Sequence, residues 1–348
     1  MLTMPTSKNT IHYEFDFTPD IGASLDILPG LKWLRLPLPF MLGHINVWLL
    51  SDGDGWAIVD TGIGNSGSRE VWENVFQHTL AGALVTRVLV THMHPDHVGC
   101  AGWICERFGV ELCMSREEYL LCRLLVSDTD KPVPDEGRDF YRAAGFTDGQ
   151  LGLYQRMYGG FGKMVAPLPQ SFHRLQHGGM LSIGQHQWQV IVGSGHSPEH
   201  ACLFCPDLNV LISGDQILPT ISSNVSVFPT EPKANPLDDW LVTLKRLKTE
   251  LPEDVLVLPA HGKPFRGADV RLSALIEEHE SGLDALREFC REPRRAVDVF
   301  PVLFKSKITD KNYIMATGEA LAHIHYLQNR GELQVDRFEG GVRWYKTI

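Results

Sequence analysis

Residues His92, His94, Asp96 and His97 fall within one short stretch, Thr91-His92-Met93-His94-Pro95-Asp96-His97. Imidazole nitrogens and a carboxylate are the donors that a borderline divalent ion such as zinc takes. The apolar run Val88-Leu89-Val90 precedes them directly, so a core strand would deliver the donors into a loop and hold them rigidly. The stretch reads as one half of a two-metal hydrolytic site. Its construction recurs downstream, where an apolar run ends and a Gly- or Pro-flanked His or Asp follows. The recurrences are His196 after Gln187–Val192, Asp215 after Val210–Ile212 and His261 after Val255–Leu258. Donors set at several strand ends along one rim are how layered α/β folds build active sites.

The elements that must carry these donors follow from periodicity. Leu31–Leu36, His44–Leu50 and Trp56–Val59 read as a meander whose last strand ends in Asp60-Thr61-Gly62. Glu70–His78 has helical spacing, Leu84–Val90 is a strand, and Asp96–Phe108 reads as a helix in which Gly99 and Gly102 permit close packing. Residues 115–170 read as a helical insert, either a lid or a packing layer. In it Ser115-Arg116-Glu117-Glu118 has the form of a capping box, and Glu136–Ala144 and Asp148–Tyr158 are further helices. Residues 1–30 read as an arm lying on the domain with one edge strand. After residue 265 the pattern changes: helices over Val270–Arg291 and Thr317–Arg330 precede a hairpin around Glu339-Gly340-Gly341. The expected organisation is a catalytic domain over 1–265 and a small winged-helix-like module over 266–348.

The chain of 348 residues is 43% apolar and 21% charged, which suits one large domain with a smaller one. Its net charge is −10; residues 1–265 hold 19 Lys and Arg against 29 Asp and Glu, and residues 266–348 hold 13 of each. Neither part has the basic excess of a generic nucleic-acid or anionic-membrane binder. Seven cysteines, an odd number without a framework, point to a reducing compartment. Cys202 and Cys205 form C-x-x-C inside a predicted strand, where the odd offset sends them to opposite faces and argues against a redox or zinc-ribbon role. The start lacks a basic-then-apolar signal and no apolar run reaches spanning length, so a soluble cytoplasmic protein is expected.

The order H-x-H-x-D-H, then Gly195-His196-Ser197, Gly214-Asp215 and Ala260-His261-Gly262, resembles the metallo-β-lactamase superfamily over about residues 25–265. The resemblance implies a four-layer αββα sandwich and two divalent metal ions, zinc first, with iron or manganese as alternatives. It assigns His92, His94 and His196 to the first metal and Asp96, His97 and His261 to the second, with Asp215 bridging them. It assigns Asp60 to a hydrogen bond that fixes a ligand histidine. Aspartate at position 215, where zinc β-lactamases carry cysteine, argues against antibiotic degradation. It is similar to glyoxalase II-like thioesterases, lactonases and the ribonuclease branch. The segment Thr317–His323 and the closing hairpin resemble the winged-helix tail of the lactamase-β-2-like subgroup, part of which is associated with RNA cleavage. With zero net charge and one Arg in 317–330, the tail is expected to pack, wall a pocket or dimerise before it reads nucleic acid.

The expected chemistry is hydrolysis, in which hydroxide shared by two metals attacks a carbonyl and Asp96 both ligates and orients the nucleophile. A thiolate leaving group, with a pKa near about 8.5, needs little acid assistance. The expected substrate is therefore a small-molecule thioester of glutathione or coenzyme A, then a lactone. A metal-dependent endoribonuclease is the competing class. A non-enzymatic winged-helix regulator is disfavoured because no ligand is missing, and a homodimer stays open. Substrate-binding residues are not fixed; the His44 segment, Tyr154, Tyr158 and Ile217–Phe228 are candidates. His200 lies outside the full ligand set, and His323 and His325 are assigned to a helix surface.

Overall fold

The structure is a computed structural model and describes residues 10–39 and 42–348. Two seven-stranded sheets face each other. The first runs in chain order through Ser24–Leu28, Leu31–Pro37, His44–Asp52, Gly55–Val59, Leu84–Leu89, Leu112–Met114 and His173–Arg174. Its first four strands pair antiparallel and the last three add in parallel. The second sheet has the spatial order His12–Tyr13, Phe265–Arg266, Leu256–Pro259, Val210–Gly214, His200–Cys205, His186–Gly193 and Met180–Ile183.

The N-terminal arm differs from expectation. Its residues 1–9 lie outside the described residues, but the rest carries two edge strands, one for each sheet. Ser24–Leu28 turns back onto Leu31–Pro37 through Pro29 and Gly30, whose φ of +77° is a left-handed conformation that glycine adopts without steric cost.

Both sheets bury both faces, which is why their strands read as nearly continuous apolar runs. Between them lie Trp33, Trp48, Val59 and Leu89 from one side and Trp188, Leu203, Ile212 and Leu258 from the other. The outer face of the first sheet, with Leu34, Val47 and Val88, is covered by helices through Trp72, Ile104 and Tyr119. The outer face of the second, with Ile191, Leu211 and Val257, is covered by Trp240, Leu244, Leu272 and Leu321. The result is the expected mixed α/β sandwich of two sheets flanked by helices. Cys202 belongs to the outer core and Cys205 to the core between the sheets, so the two thiols do face opposite sides.

The expected single helix after the histidine stretch is two, Pro95–Val98 and Ala101–Phe108. Close backbone approach explains the glycines: a Cβ on Gly99 would lie 2.3 Å from Gly64 N, and one on Gly102 1.9 Å from Pro167 O. The insert divides between the two outer layers. Arg116–Ser127 covers the first sheet, whereas Asp135–Ala144 and Asp148–Met157 join the second-sheet core through Phe140, Tyr141 and Tyr154. Tyr154, a candidate substrate contact, is instead buried with its ring 4.5 Å from that of Tyr141.

The C-terminal segment comprises helices Ala268–Phe289, Phe300–Leu303 and Tyr313–Asn329 and the hairpin of Leu333–Glu339 with Val342–Thr347. Leu283, Leu321, Leu333 and Tyr345 share one core with the outer face of the second sheet. The hairpin is also stitched inward, since Arg294 and Tyr345 exchange backbone hydrogen bonds of 2.9 and 2.7 Å. Among the described residues, no helix is long and apolar enough to cross a membrane.

Candidate metal centre

The strand Gly55–Val59 ends in Asp60, a non-glycine residue held at φ +63°, a conformation that side chains other than Asn and Asp rarely adopt. That turn aims the carboxylate across to the neighbouring parallel strand. Asp60 accepts the Thr91 backbone N–H at 2.8 Å and the Thr91 hydroxyl at 2.9 Å, and lies 2.8 Å from His97 Nδ1. Thr91 thereby starts the loop in a fixed direction. Pro95 then opens the short helix Pro95–Val98, which brings Asp96 and His97 round to the same side.

The structure brings together all seven residues expected as metal ligands. His92 Nε2 is 2.7 Å from His94 Nδ1, which is 3.0 Å from His196 Nε2, and His196 Nε2 closes the triangle 3.2 Å from His92 Nε2. Beside it, Asp96 Oδ2 lies 3.4 Å from His261 Nε2 and 3.8 Å from His97 Nε2. Asp215 faces both groups: Oδ1 is 3.5 Å from His97 Nε2 and from His261 Nε2, and Oδ2 is 3.5 Å from His196 Nε2.

The outward nitrogens are occupied. His196 Nδ1 donates to Asn224 O at 2.7 Å and His261 Nδ1 to His44 O at 2.9 Å. A carbonyl can only accept, so these two rings carry their proton on Nδ1 and turn a bare Nε2 inward. The inward atoms are not satisfied. His97 Nε2, His261 Nε2 and Asp215 Oδ1 are buried without a hydrogen-bond partner. Each such group costs about 1–3 kcal/mol when left unpaired. Lone pairs converging in this way fit a bound cation.

Electrostatics agree with that fit. Burial, and then the neighbouring imidazoles of His97 and His94, hold His92 well below the usual histidine range. Burial and His196 push His94 down to about 3. Both are therefore neutral and able to ligate. Burial alone would raise Asp215, but His261 and His97 keep it well below the usual carboxylate range. Burial would lower His97, yet Asp60, Asp215 and Asp96 together raise it well above its ordinary value. The positive charge that Asp60, Asp215 and Asp96 favour at His97 is one that a divalent ion would also supply, displacing the ring's inner proton.

Five residues have roles or positions that sequence reasoning missed or misplaced. Glu118 is not part of a capping box. Ser115 Oγ donates to Glu199 O at 2.7 Å, and the buried Glu118 carboxylate accepts Met93 N–H at 2.8 Å and Glu199 N–H at 2.9 Å. Glu118 thus ties the loop of His92 and His94 to the loop of His196. The available signal was a carboxylate on the apolar stripe that also carries Cys122. Asn46, a polar residue inside an apolar strand, donates through Nδ2 to Pro259 O and Gly262 O, both at 2.8 Å, and so frames His261. His200 is outside the ligand groups; its ring lies 4.7 Å from that of His92, and its Nε2 accepts Asp215 N–H at 3.1 Å. His323 is not on a helix surface but buried, and His325 is half-buried against Ala234 O. The helix carrying them buries Ala316, Ala320, Leu321, Ile324 and Leu327 around most of its circumference, which leaves little surface to offer.

Residues 41–261 match the family described as the metallo-beta-lactamase superfamily, and residues 283–348 match the metallo-beta-lactamase-like C-terminal domain. The chain belongs to the metallo-beta-lactamase superfamily, whose members are metal-dependent hydrolases. A beta-lactamase domain protein from Burkholderia ambifaria is 40% identical, with a TM-score of 0.90 over 98% of this chain and 99% of that one. A metallo-beta-lactamase family protein from Thermus thermophilus is 26% identical, with a TM-score of 0.78 over 93% of this chain and all of that one (100%). The atrochrysone carboxyl ACP thioesterase nsrC of Aspergillus novofumigatus is 23% identical over 73% of this chain and 62% of its own length. The fold therefore implies divalent metal ions, and the histidine and aspartate groups fit them.

Proposed function

We propose that the protein is a dinuclear metal-dependent thioesterase acting on a small-molecule thioester of the glutathione or coenzyme A type. The observation that carries this reading is the convergence of His97 Nε2, His261 Nε2 and Asp215 Oδ1, buried and without hydrogen-bond partners, beside the His92–His94–His196 triangle. His92, His94 and His196 would hold one ion and Asp96, His97 and His261 the other, with Asp215 shared. Zinc suits this donor set, and iron or manganese would also be accepted. When bound, the ions supply Lewis acidity and a water acidified into the neutral range.

The remaining work falls to the chain. His94 and Asp96 are the half-buried members of the set, so substrate approaches over them. Asp96 orients the attacking water and takes its proton. Asp60, 2.8 Å from His97 Nδ1, holds that ring in place. His44, whose ring lies 6.4 Å from that of His261, is held down to about 4 by burial and by Arg35, so it is neutral and a poor acid at pH 7. A leaving group that needs no protonation suits this surrounding, and a thiolate is one. The thioesterase nsrC among the relatives supports the same reading.

The C-terminal module walls and packs the site in this reading, and its zero net charge weighs against nucleic-acid binding. The seven unpaired, buried cysteines suit a reducing compartment, and we place the protein in the cytoplasm. Zinc-, iron- or manganese-loaded protein assayed on S-acyl-glutathione, acyl-coenzyme A, lactones and single-stranded RNA tests the proposal. Preferential thioester cleavage supports it; metal-dependent RNA cleavage without any thioester cleavage overturns it.

A further inference from the structure

We infer that Glu319, on the C-terminal helix Tyr313–Asn329, is a positioning residue for the metal centre and acts on His196 through Asn224. The inference rests on the reading of His196 as a metal ligand. The carbonyl that orients the His196 ring belongs to Asn224, in a segment after Asp215 that has no regular secondary structure. Something else must hold that carbonyl still, and the C-terminal helix does so. Asn224 Nδ2 donates to Glu319 Oε2 at 2.7 Å, and Asn224 Oδ1 accepts the Ser226 hydroxyl at 2.6 Å. Further along the same segment, Val227 N–H donates to Gly318 O at 3.0 Å. The approach is as close as the chain permits, for a Cβ on Gly318 would lie 2.7 Å from Ser226 Cβ.

Glu319 forms no ion pair among the described residues, although its carboxylate lies inside this contact. A half-buried carboxyl without a counter-ion adds little stability of its own. Its contribution lies in the bond it accepts. That bond fixes the Asn224 side chain, the side chain fixes the turn, and the turn presents the carbonyl that leaves His196 Nε2 bare and aimed inward. The C-terminal module is thereby a structural part of the metal site rather than an appendage to it.

Cobalt(II) titration of the full chain tests this, with affinity read by chelator competition and ligand geometry by the visible absorption of the bound ion. Partners behind a ligand histidine typically contribute about 10–100-fold to metal affinity. Glu319→Ala is expected to weaken one of two cobalt sites by about that factor and to alter its spectrum. Glu319→Gln, whose amide oxygen still accepts from Asn224, is expected to stay near wild type. Asn224→Ala, which leaves the core untouched, should weaken the same site, and the double variant should be no weaker than either single one. Wild-type affinity at both sites in Glu319→Ala, or equal loss in the Ala and Gln variants, overturns the inference alone. A wild-type protein that takes up no cobalt overturns the metal-centre reading and the inference with it.

Discussion

Asp60 Oδ2 sits 2.8 Å from His97 Nδ1, at the back of a ring whose Nε2 faces Asp215 and has no hydrogen-bond partner. One carboxylate thus fixes the orientation of a histidine that has no hydrogen-bond partner on its inner side. Asp60→Asn tests the arrangement with little backbone disturbance, because asparagine tolerates the left-handed conformation at this position. The amide cannot accept from both Thr91 and His97 as the carboxylate does. We expect metal affinity and kcat/KM to fall by about 10–100-fold while the fold survives. Unchanged kcat/KM in a metal-loaded Asp60→Asn variant would remove Asp60 from the site.

Glu118 joins the two histidine loops from below. Removing its carboxylate strands the N–H groups of Met93 and Glu199 in the interior, each at about 1–3 kcal/mol. Glu118→Ala is expected to lose about 2–6 kcal/mol in urea unfolding. Glu118→Gln, which retains one acceptor oxygen, should lose less. Equal stability of the alanine variant and wild type would show that these N–H groups find other partners.

What the sequence discloses is what depends on local pattern. A short apolar run followed closely by a donor stretch with Gly or Pro in it is legible, so His92, His196, Asp215 and His261 could be grouped before their distances were known. The sheets were legible for the same reason. Glu118 was not, because Ser115 and Glu118 satisfy a local rule for helix starts while their bonds go to Glu199 and Met93, far along the chain. His323 was misplaced because its helix is buried on several faces and offers no polar stripe to read. Asn224 and Glu319 lie 95 residues apart, and no period connects them.

The C-terminal module carries a pH dependence of its own. His279 and His323 are buried and adjacent, with His279 Nδ1 3.3 Å from His323 Nε2. Burial and the neighbouring His323 hold His279 down to about 3, and burial holds His323 down to about 4. A histidine depressed on folding contributes stability that is present above its unfolded pKa, near 6.5, and is lost as pH falls towards the folded value. Each should cost up to about 1.4 kcal/mol per pH unit below that point. Unfolding of wild type and His323→Gln at pH 7.5 and pH 5.5 reads this directly. The variant should lose less stability between the two pH values, and parallel losses would contradict the assignment.

Metal binding should appear as folding stability, because the seven donors converge only in the folded chain. Stripping with a chelator is expected to lower Tm, and returning zinc at about 100 times its Kd should restore about 2.7 kcal/mol per site. His94→Ala should show a smaller zinc-dependent shift than wild type.

The central claim is that seven side chains hold two ions with Asp215 between them. Plasma emission analysis of zinc-reconstituted protein, wild type beside Asp215→Ala, measures it most directly. We expect two ions per wild-type chain, and one or fewer in Asp215→Ala with hydrolysis lost. Less than one ion per wild-type chain, unrestored by added zinc, iron or manganese, would contradict the account.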